Sequence, residues 1–309
     1  MEVIGNGDST LRVVGLTRLL LRTETHSYSK RGPDQVLITG CSDDSLGSAL
    51  ALAFHKAGYH VYATARDPNK MTQLKSQGIE TLTLDTLSED SIAECVKKVP
   101  SLDILVNNAG RTFLMPVVDV NIAEAKKVYD LNVWSHIAVT QAFMPRILES
   151  KGTIVNQTSV GVTLTLPFQG IYNSSKAAMS MLSDTMRLEL EPFGVKVVEL
   201  RTGVVNTNLI KAMQTSTNTV IPKDSIYEPA RERIEKSLRQ EQFENAGMPR
   251  QEWAEAIVQD LSKKSPQPVI WRGQTAYLSW ILSLLPYRWS DGLAKKFSGL
   301  NDVAQLLRK

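Results

Sequence analysis

From Gln35 onward, short apolar runs alternate with stretches whose apolar residues recur at helical spacing. The apolar runs lie at residues 36–38, 61–63, 81–84, 102–106, 154–156, 195–200 and 269–271. Near-continuous apolar runs of this length are typical of strands that are buried on both faces of a parallel sheet. We therefore predict six such strands, with a possible seventh near the C-terminus.

Helical patterns fall between these strands, at residues 46–57, 89–99, 122–149 and 172–191. Ser88 is expected to cap the second of these helices, and Gly194 is expected to end the last one. Sustained alternation of strands and helices predicts an α/β fold, with one doubly wound parallel sheet of the Rossmann type in a single domain.

The two ends of the chain depart from this alternation. Residues 1–34 hold an apolar stretch with arginines, but also acidic residues that targeting peptides avoid, so we favour a disordered extension over a targeting segment. One folded domain is then expected at residues 35–309. Ligands of doubly wound sheets lie beyond the carboxyl ends of the strands, so residues 208–265 are interpreted as a helical substrate-covering insertion. Residues 266–309 are expected to form a C-terminal strand and helices.

Composition and charge argue against several classes of protein. The 35 basic and 32 acidic residues give a formal charge of +3 without long runs of like charge, so nucleic acid is not an expected partner. Cys41 and Cys95 lie far apart, which predicts neither a disulfide framework nor a zinc cluster. The four histidines lack the close spacing of metal ligands, so no metal is expected and we interpret them as surface or boundary residues.

Membrane association is less clear than membrane crossing. No apolar run approaches the ~20 residues that a transmembrane helix needs, which favours a cytoplasmic protein, with peripheral attachment to an intracellular membrane as the alternative. The apolar residues of segment 277–289 recur at helical spacing; they are Tyr277, Trp280, Ile281, Leu284 and Leu285. Packing of this stripe on the core or on a subunit partner is favoured, and contact with a membrane interface is the alternative.

The turn after the first strand, residues 39–47, is rich in small residues and leads into a helix. Small residues let the backbone approach a pyrophosphate, whose charge is stabilised by the N–H groups at the helix N-terminus. This signal is weak alone, because the same turn can serve packing.

The candidate catalytic residues form a wider pattern. Tyr172 and Lys176 have Tyr-x-x-x-Lys spacing, so they share one face of a predicted helix. Ser159 follows the fifth strand, Asn132 lies in the long preceding helix, and an Asn-Asn-Ala-Gly segment that begins at Asn107 ends the fourth strand. All of these are expected at the carboxyl ends of the strands, where they can form one site.

In this order and spacing, the sequence resembles the short-chain dehydrogenase/reductase family over about residues 35–209. Within the family it looks most like fungal and yeast members related to NADPH-dependent 1-acyldihydroxyacetone phosphate reductase. The resemblance implies that Tyr172 is the proton donor and acceptor, that Lys176 lowers the pKa of Tyr172 and binds the nicotinamide ribose, that Ser159 holds the substrate oxygen, and that Asn132 supports a water. It also implies a homo-oligomer. The implied cofactor-binding residues are Gly40, Ser42, Ser45, Leu46, Gly47, Arg66, Asp85, Asn108, Ala109, Gly110, Tyr172, Lys176, Gly203, Val205 and Thr207.

Three departures from the family pattern affect the cofactor site. The glycine loop is one residue longer than usual, and Ser45 stands in the place of its middle glycine. Asp43 and Asp44 are expected to repel a pyrophosphate unless their side chains point to water. Thr202 stands where most relatives have proline.

Arg66, at the end of the second strand, favours the 2′-phosphate of NADP(H) over the 2′-hydroxyl of NAD.

The expected reaction is the interconversion of a ketone and a secondary alcohol on a small hydrophobic substrate. A polyketide or terpenoid intermediate of specialised (secondary) metabolism is favoured. One alternative is reduction of 1-acyldihydroxyacetone phosphate in glycerolipid synthesis, for which the cationic candidates to bind the phosphate are Arg231, Arg233, Lys236 and Arg239. Another is a non-catalytic NADP-binding regulatory or scaffold protein, which the intact Ser159, Tyr172 and Lys176 argue against.

Overall fold

Within the described residues, seven parallel strands form one sheet with the order β3-β2-β1-β4-β5-β6-β9. The structure is a computed structural model, and it describes residues 34–207, 220–241, 246–286 and 288–308. The sheet strands are β1 (Gln35–Thr39), β2 (His60–Ala65), β3 (Glu80–Thr83), β4 (Ile104–Asn107), β5 (Thr153–Gln157), β6 (Lys196–Thr202) and β9 (Val269–Arg272). All seven lie where the apolar runs predicted them, and this order confirms the doubly wound fold.

Helices cover both faces of the sheet. They are α1 (Leu46–Lys56), α2 (Thr72–Ser76), α3 (Glu89–Lys98), α4 (Ile122–Tyr129), α5 (Ser135–Ser150), α6 (Gly170–Leu190), α7 (Arg231–Leu238), α8 (Arg250–Leu261), α9 (Ala276–Ser283), α10 (Asp291–Phe297) and α11 (Leu300–Leu306). A π-helical turn, Asp130–Trp134, joins α4 to α5, so the predicted helix at 122–149 is one helical run with an internal irregularity. Two short strands, β7 (Val205–Asn206) and β8 (Met248–Pro249), pair separately.

Alternation along each strand supplies both hydrophobic cores. In β1, Val36 and Ile38 face the core under α1 and α8, whereas Leu37 faces the core under α3 and α5. Side chains of a strand point alternately to opposite faces, so a strand covered on both sides must be apolar throughout. This requirement explains why the apolar runs located the strands.

Helix ends follow the predicted signals. The Ser88 side chain accepts a hydrogen bond from the Ser91 backbone N–H and caps α3. Gly194 adopts a left-handed conformation (φ 76°) after the short turn that ends α6. Both positions therefore behave as expected from cap chemistry.

The region predicted to cover the substrate divides into two parts. Helix α7 packs in a separate apolar cluster with the loops around Leu114 and Phe168, on the side of the candidate site. Helix α8 instead buries Trp253 and Ile257 completely in the main core against α1. Residues 250–261 are therefore a core crossover helix rather than a cover. The predicted N-terminal extension, residues 1–34, lies outside the described residues apart from Asp34, and so do residues 208–219.

The apolar stripe of segment 277–289 does not pack on the chain's own core. Helix α9 carries Tyr277, Trp280 and Ile281 with 71%, 40% and 38% of their surface exposed. The spacing predicted a helix, and the structure forms one over Ala276–Ser283. Of the two favoured packings, the exposure argues against burial in the chain's own core, and packing on a subunit partner stays a prediction. None of the described helices is both long and apolar enough to span a bilayer.

Candidate active site

A cleft of about 170 Å³ opens at the carboxyl ends of the central strands. Of the residues singled out in the sequence, Leu46, Ser159, Tyr172, Thr202, Gly203, Val205 and Thr207 line it. Gln157, Thr158, Leu166, Gln169 and Gln240 also line it and carried no recognisable signal in the sequence. The topology explains this convergence, because β1 and β4 are neighbours at the point where the strand order reverses.

The turn after β1 is packed tightly against the segment after β4. The Thr39 hydroxyl accepts hydrogen bonds from the backbone N–H groups of Asn108 and Ala109, both at 2.9 Å. The Asn108 side-chain amide donates to the Thr39 carbonyl at 2.7 Å. A Cβ at Gly40, whose φ is +75°, would lie 2.9 Å from the Ala109 Cα, so a larger residue does not fit there.

Ser45 explains the departure from the glycine pattern. Its hydroxyl accepts from the Ser48 N–H at 3.0 Å, which caps α1, and donates to the Gly40 carbonyl at 3.1 Å. Gly47 remains obligatory, because a Cβ there would lie 2.5 Å from the Gly40 oxygen. The loop therefore packs closely on the N-terminus of α1, where Ser45 satisfies one N–H group; anion-binding turns combine such close packing with N–H groups that face the ligand.

The carboxylates of Asp43 and Asp44, which were expected to repel a pyrophosphate, hydrogen-bond or pair with other residues of the chain. Asp43 accepts hydrogen bonds from the Thr72 N–H at 3.0 Å and from the Thr72 hydroxyl at 2.8 Å, so it caps α2. Asp44, in a left-handed conformation (φ 63°), forms an ion pair with Arg250 at the start of α8. Both negative charges are thus engaged by groups that oppose them.

Arg66 and Asp85 follow β2 and β3, at the same edge of the sheet. The Arg66 side chain is exposed, and no described residue pairs with its guanidinium. Asp85 accepts a hydrogen bond from the Leu87 N–H at 3.0 Å, so one carboxylate oxygen serves a strand-end turn. Arg66 is therefore free to bind an anion, whereas Asp85 has a structural contact as well.

Ser159 and Tyr172 lie on the same wall of the cleft. The Ser159 hydroxyl accepts from the Gly161 N–H at 3.1 Å, which fixes the turn after β5. Burial raises the pKa of Tyr172, and a hydrogen bond with Ser159 lowers it by less. The expectation that Lys176 lowers the pKa of Tyr172 stays a prediction.

Lys176 is buried one helical turn after Tyr172. Its ammonium group donates to the Gln157 carbonyl at 2.8 Å. Burial lowers the pKa of Lys176 to about 8, because transfer of the ammonium out of water penalises its charged form. A lysine of this kind exchanges a proton near neutral pH.

Asn132 lies in the π-helical turn and is completely buried. Its side-chain oxygen accepts from the Arg111 N–H at 2.8 Å, and its amide donates to the Arg111 carbonyl at 2.9 Å and to Ser175 at 3.0 Å. A Cβ at Gly110 would lie 3.1 Å from the Asn132 oxygen and 3.5 Å from the Lys176 nitrogen. Asn132 therefore ties the segment after β4 to α6, beside Lys176.

His136 was expected at the surface or boundary, and the structure corrects this. Its side chain is completely buried on α5, and Nε2 hydrogen-bonds the Ala109 carbonyl at 2.7 Å. Burial, with a smaller contribution from the nearby Lys176 charge, lowers the pKa of His136 to about 3. The ring is therefore neutral and holds the Ala109 carbonyl. The sequence did contain one indication of this position: His136 follows Asn132 by four residues, so the two share a face of the helical run.

The remaining departure, Thr202, also has a partner. Its hydroxyl accepts from the Gln157 side-chain amide at 2.6 Å. Gly203 is packed so closely that a Cβ would lie 2.2 Å from the Gln274 oxygen. The segment that follows β6 is thus held on the cleft without the usual proline.

Next to the cleft lies a more apolar pocket of about 100 Å³. Val160, Leu166 and Val204 line both cavities, and the far wall of the pocket comes from α9 and α10. The four cations considered for a phosphate are all engaged in ion pairs, which join Arg231 to Glu228 and Glu235, Arg233 to Asp302, Lys236 to Glu232 and Arg239 to Glu241. Each of the four cations therefore already has a carboxylate partner among the described residues.

Comparison with known proteins agrees with this geometry. The sequence model of the short chain dehydrogenase family matches residues 34–218. A short-chain dehydrogenase/reductase of Pestalotiopsis microspora, GME11361, is 51% identical over 88% of this chain and 97% of its own. An NADPH-dependent 1-acyldihydroxyacetone phosphate reductase of Schizosaccharomyces pombe is 39% identical over 81% of this chain and 89% of its own.

Solved structures show the same fold. A short-chain dehydrogenase from Streptomyces avermitilis superposes with a TM-score of 0.70 at 24% identity, covering 88% of this chain and 98% of its own. One from Burkholderia cenocepacia, in complex with NADP, gives 0.64 at 19% identity, covering 86% of this chain and 98% of its own. The family match and the extent of the close relatives establish that this chain belongs to the short-chain dehydrogenase/reductase family of oxidoreductases.

Proposed function

We propose that this protein is an NADP(H)-dependent oxidoreductase that interconverts a ketone and a secondary alcohol. The observation that carries the proposal is that Ser159 and Tyr172 line one cleft, with the buried Lys176 one helical turn away. A hydroxyl pair beside a titrating lysine suits proton transfer to a carbonyl oxygen. The same arrangement argues against a non-catalytic regulatory or scaffold role.

The cofactor residues fit an NADP(H) molecule. The N-terminus of α1 suits a pyrophosphate, and Arg66, exposed and without an ion pair to a described residue, suits a 2′-phosphate. The NADPH dependence of the Schizosaccharomyces pombe relative supports this choice. The residues that would hold the cofactor are Gly40, Ser42, Ser45, Leu46, Gly47, Arg66, Asp85, Asn108, Ala109, Gly110, Tyr172, Lys176, Gly203, Val205 and Thr207. When bound, the dihydronicotinamide supplies the hydride that reduces the carbonyl carbon.

The chain's own groups manage the proton. Ser159 donates a hydrogen bond to the substrate oxygen and orients it. Tyr172 gives its phenolic proton to that oxygen during reduction, and takes it back during oxidation. Lys176 supports the transient phenolate with its positive charge, and its pKa of about 8 suits return of the proton near neutrality. Asn132 keeps the backbone around Arg111 in place beside Lys176 and supports a water that links the lysine to solvent.

The substrate is proposed to be a hydrophobic ketone or alcohol, such as a polyketide or terpenoid intermediate of specialised metabolism. The apolar pocket beside the cleft supports this class. Reduction of 1-acyldihydroxyacetone phosphate remains the second candidate because of the 39% identical relative with that activity in its name. Against it, Arg231, Arg233, Lys236 and Arg239 are already paired with carboxylates.

Assembly and location complete the proposal. Exposed apolar residues on and near α5 and α6 support a homo-oligomer; they are Trp134, Met181, Leu188 and Phe193. A cytoplasmic location, with peripheral attachment to an intracellular membrane as the alternative, stays a prediction from the sequence.

The deciding experiment incubates purified protein with NADPH and two sets of substrates, acyl-dihydroxyacetone phosphates and aromatic or terpenoid ketones. We expect turnover with hydrophobic ketones. The Tyr172→Phe variant should lose roughly 10²- to 10⁴-fold in turnover, the usual contribution of a positioned acid, and should still bind NADPH. A variant with more than about half of the wild-type rate would exclude Tyr172 as the proton donor; a preference for the phosphorylated substrates would favour the second candidate.

A further inference from the structure

Helix α9 presents its residues in the reverse of the usual arrangement. The small residues Ala276 and Ser279 face the protein and are each only 2% exposed, whereas Tyr277 is 71% exposed. A helix on the surface of a globular protein normally buries its large apolar side chains and leaves small or polar ones outside. The outer face of α9 is therefore shaped for contact with something beyond the chain's own core.

This face continues beyond α9. The exposed apolar residues that form it, here named the C-terminal apolar face, are Tyr277, Leu278, Trp280, Ile281, Leu284, Leu285, Trp289, Leu293 and Phe297. The rings of Tyr277 and Trp280 stack at a tilt with centroids 5.6 Å apart, so the aromatic side chains lie together. Large exposed apolar patches on soluble proteins mark interaction sites.

The charges around the face indicate which partner it fits. Between residues 276 and 297 the charged residues are Arg288, Asp291, Lys295 and Lys296, so positive charge is in excess. Arg288 pairs with Asp291, while neither lysine forms an ion pair with a described residue. Two copies of the chain would bring like charges together here. Exposed Trp and Tyr beside free lysines instead match the interface of a membrane with anionic lipids.

The same helices also form the outer wall of the apolar pocket. Leu278 and Leu282 of α9 and Leu293 of α10 line it from the side of the C-terminal apolar face. On its other side the pocket shares Val160 and Leu166 with the catalytic cleft. An apolar path therefore leads from this face toward Tyr172.

We propose that the C-terminal apolar face docks on an anionic phospholipid bilayer, and that the pocket beneath it receives the apolar part of a membrane-dissolved substrate. The docking proposal is argued only from the exposed residues and charges of the C-terminal apolar face. The path for the substrate rests on the proposed function. The two parts are therefore tested by separate measurements, neither of which requires turnover.

Docking is measured by co-sedimentation of the full chain with vesicles of phosphatidylcholine, with or without phosphatidylserine. We expect binding to the anionic vesicles. Tyr277→Ser/Trp289→Ser should lower the partition coefficient at least about tenfold, because large apolar area no longer enters the interface. Lys295→Gln/Lys296→Gln should lower it about tenfold or more on anionic vesicles only, since each basic residue near such a surface contributes ~1 kcal/mol.

The matched control is Ile122→Ser/Ile226→Ser, which removes two exposed apolar residues elsewhere and should leave vesicle binding unchanged. Circular dichroism checks that each variant is folded. Equal binding of all variants would overturn the docking. So would a drop in oligomer mass for Tyr277→Ser/Trp289→Ser, measured by light scattering, without any change in vesicle binding, because a second copy would then cover the face.

The pocket is tested with two fluorescent naphthyl ketones that share a head group, one with a propionyl chain and one with a dodecanoyl chain. Leu282→Trp fills the pocket, so it should weaken binding of the long ketone at least about tenfold, given ~0.8 kcal/mol per buried methylene. Binding of the short ketone should change by less than about threefold, a margin under ~0.7 kcal/mol. Equal losses for both ketones, or none, would overturn the path. Failure of the proposed function would appear separately, as absence of NADPH oxidation with either ketone despite binding.

Discussion

Replacement of Arg66 by Asp should reverse the cofactor preference of this enzyme. Arg66 follows β2, is exposed, and has no described partner, so its guanidinium is available to a 2′-phosphate. The acidic neighbours keep their charge but are engaged by other groups, because Asp43 caps α2, Asp44 pairs with Arg250, and Asp67 accepts from the Asn69 N–H at 3.0 Å. The positive charge is therefore the feature of this edge that distinguishes the two cofactors.

The expected size of the preference follows from exposure. Two unit charges at about 4 Å interact by ~1 kcal/mol in water and ~4 kcal/mol at an effective dielectric of about 20. An exposed guanidinium lies near the lower end, but a phosphate carries about −1.5 to −2 charges and can accept paired hydrogen bonds. We expect ~1.4 to 2.7 kcal/mol, or about tenfold to a hundredfold in favour of NADPH.

The assay is kcat/KM for NADPH and NADH with one saturating ketone. Arg66→Ala should lose the NADPH advantage and leave NADH unchanged, whereas Arg66→Asp should prefer NADH, because a carboxylate repels the phosphate and accepts from the ribose hydroxyls. Lys75→Asp, an equal charge change at an exposed position on α2, is the control and should retain the preference. An unmodified enzyme that prefers NADH, or an Arg66→Asp variant with the wild-type ratio, would refute the reasoning.

Three further predictions concern single side chains. Burial lowers the pKa of Lys176 to about 8, so between about pH 8 and 10.5 the unfolded chain binds a proton that the folded chain does not. The unfolding free energy of cofactor-free wild type, relative to that of Lys176→Met, should therefore rise across that window and stay flat below it. Denaturant titrations at several pH values check this, and a flat difference throughout would contradict it. Trp253→Ala should lower the unfolding free energy by about 3–5 kcal/mol because the indole is completely buried, whereas Trp289→Ala, at 73% exposure, should change it by less than about 0.5 kcal/mol; equal losses would show that the burial is misassigned. Asp43→Asn should leave KM for NADPH within about twofold, or ~0.4 kcal/mol, because the carboxylate points to Thr72; a marked fall in KM would show that it repels the pyrophosphate.

The positions of the strands and their alternation with helices could be predicted because the sequence signal for each strand is local. A strand covered on both faces must be apolar throughout, as Val36, Leu37 and Ile38 illustrate, so each run identifies itself without knowledge of its neighbours. The sequence also indicated that Ser159 and the Tyr-x-x-x-Lys pair belong to one candidate site, because the topology of the fold brings the carboxyl ends of the strands together.

The details that escaped prediction depend on contacts distant in sequence. Asp44 looked harmful to a pyrophosphate because its partner, Arg250, lies 206 residues away. His136 lies four residues after Asn132 and so on the same face of the helical run, but this spacing does not show that the face is buried against Ala109. The helical spacing of segment 277–289 predicted a helix correctly, but it could not show that the small residues of α9 would face inward. One sequence does not specify which face of a helix meets the core.

The ion pair between Asp44 and Arg250 constrains how the cofactor loop of this chain can be exchanged. Asp44, in the cofactor loop, adopts a left-handed conformation and pairs with Arg250 at the start of α8. A chimera that shortens the loop to the usual family length, or transplants it into another scaffold, would leave Arg250 without its counter-ion or Asp44 without its cation. We expect such exchanges to succeed only when the loop and the first turn of α8 are transferred as a pair.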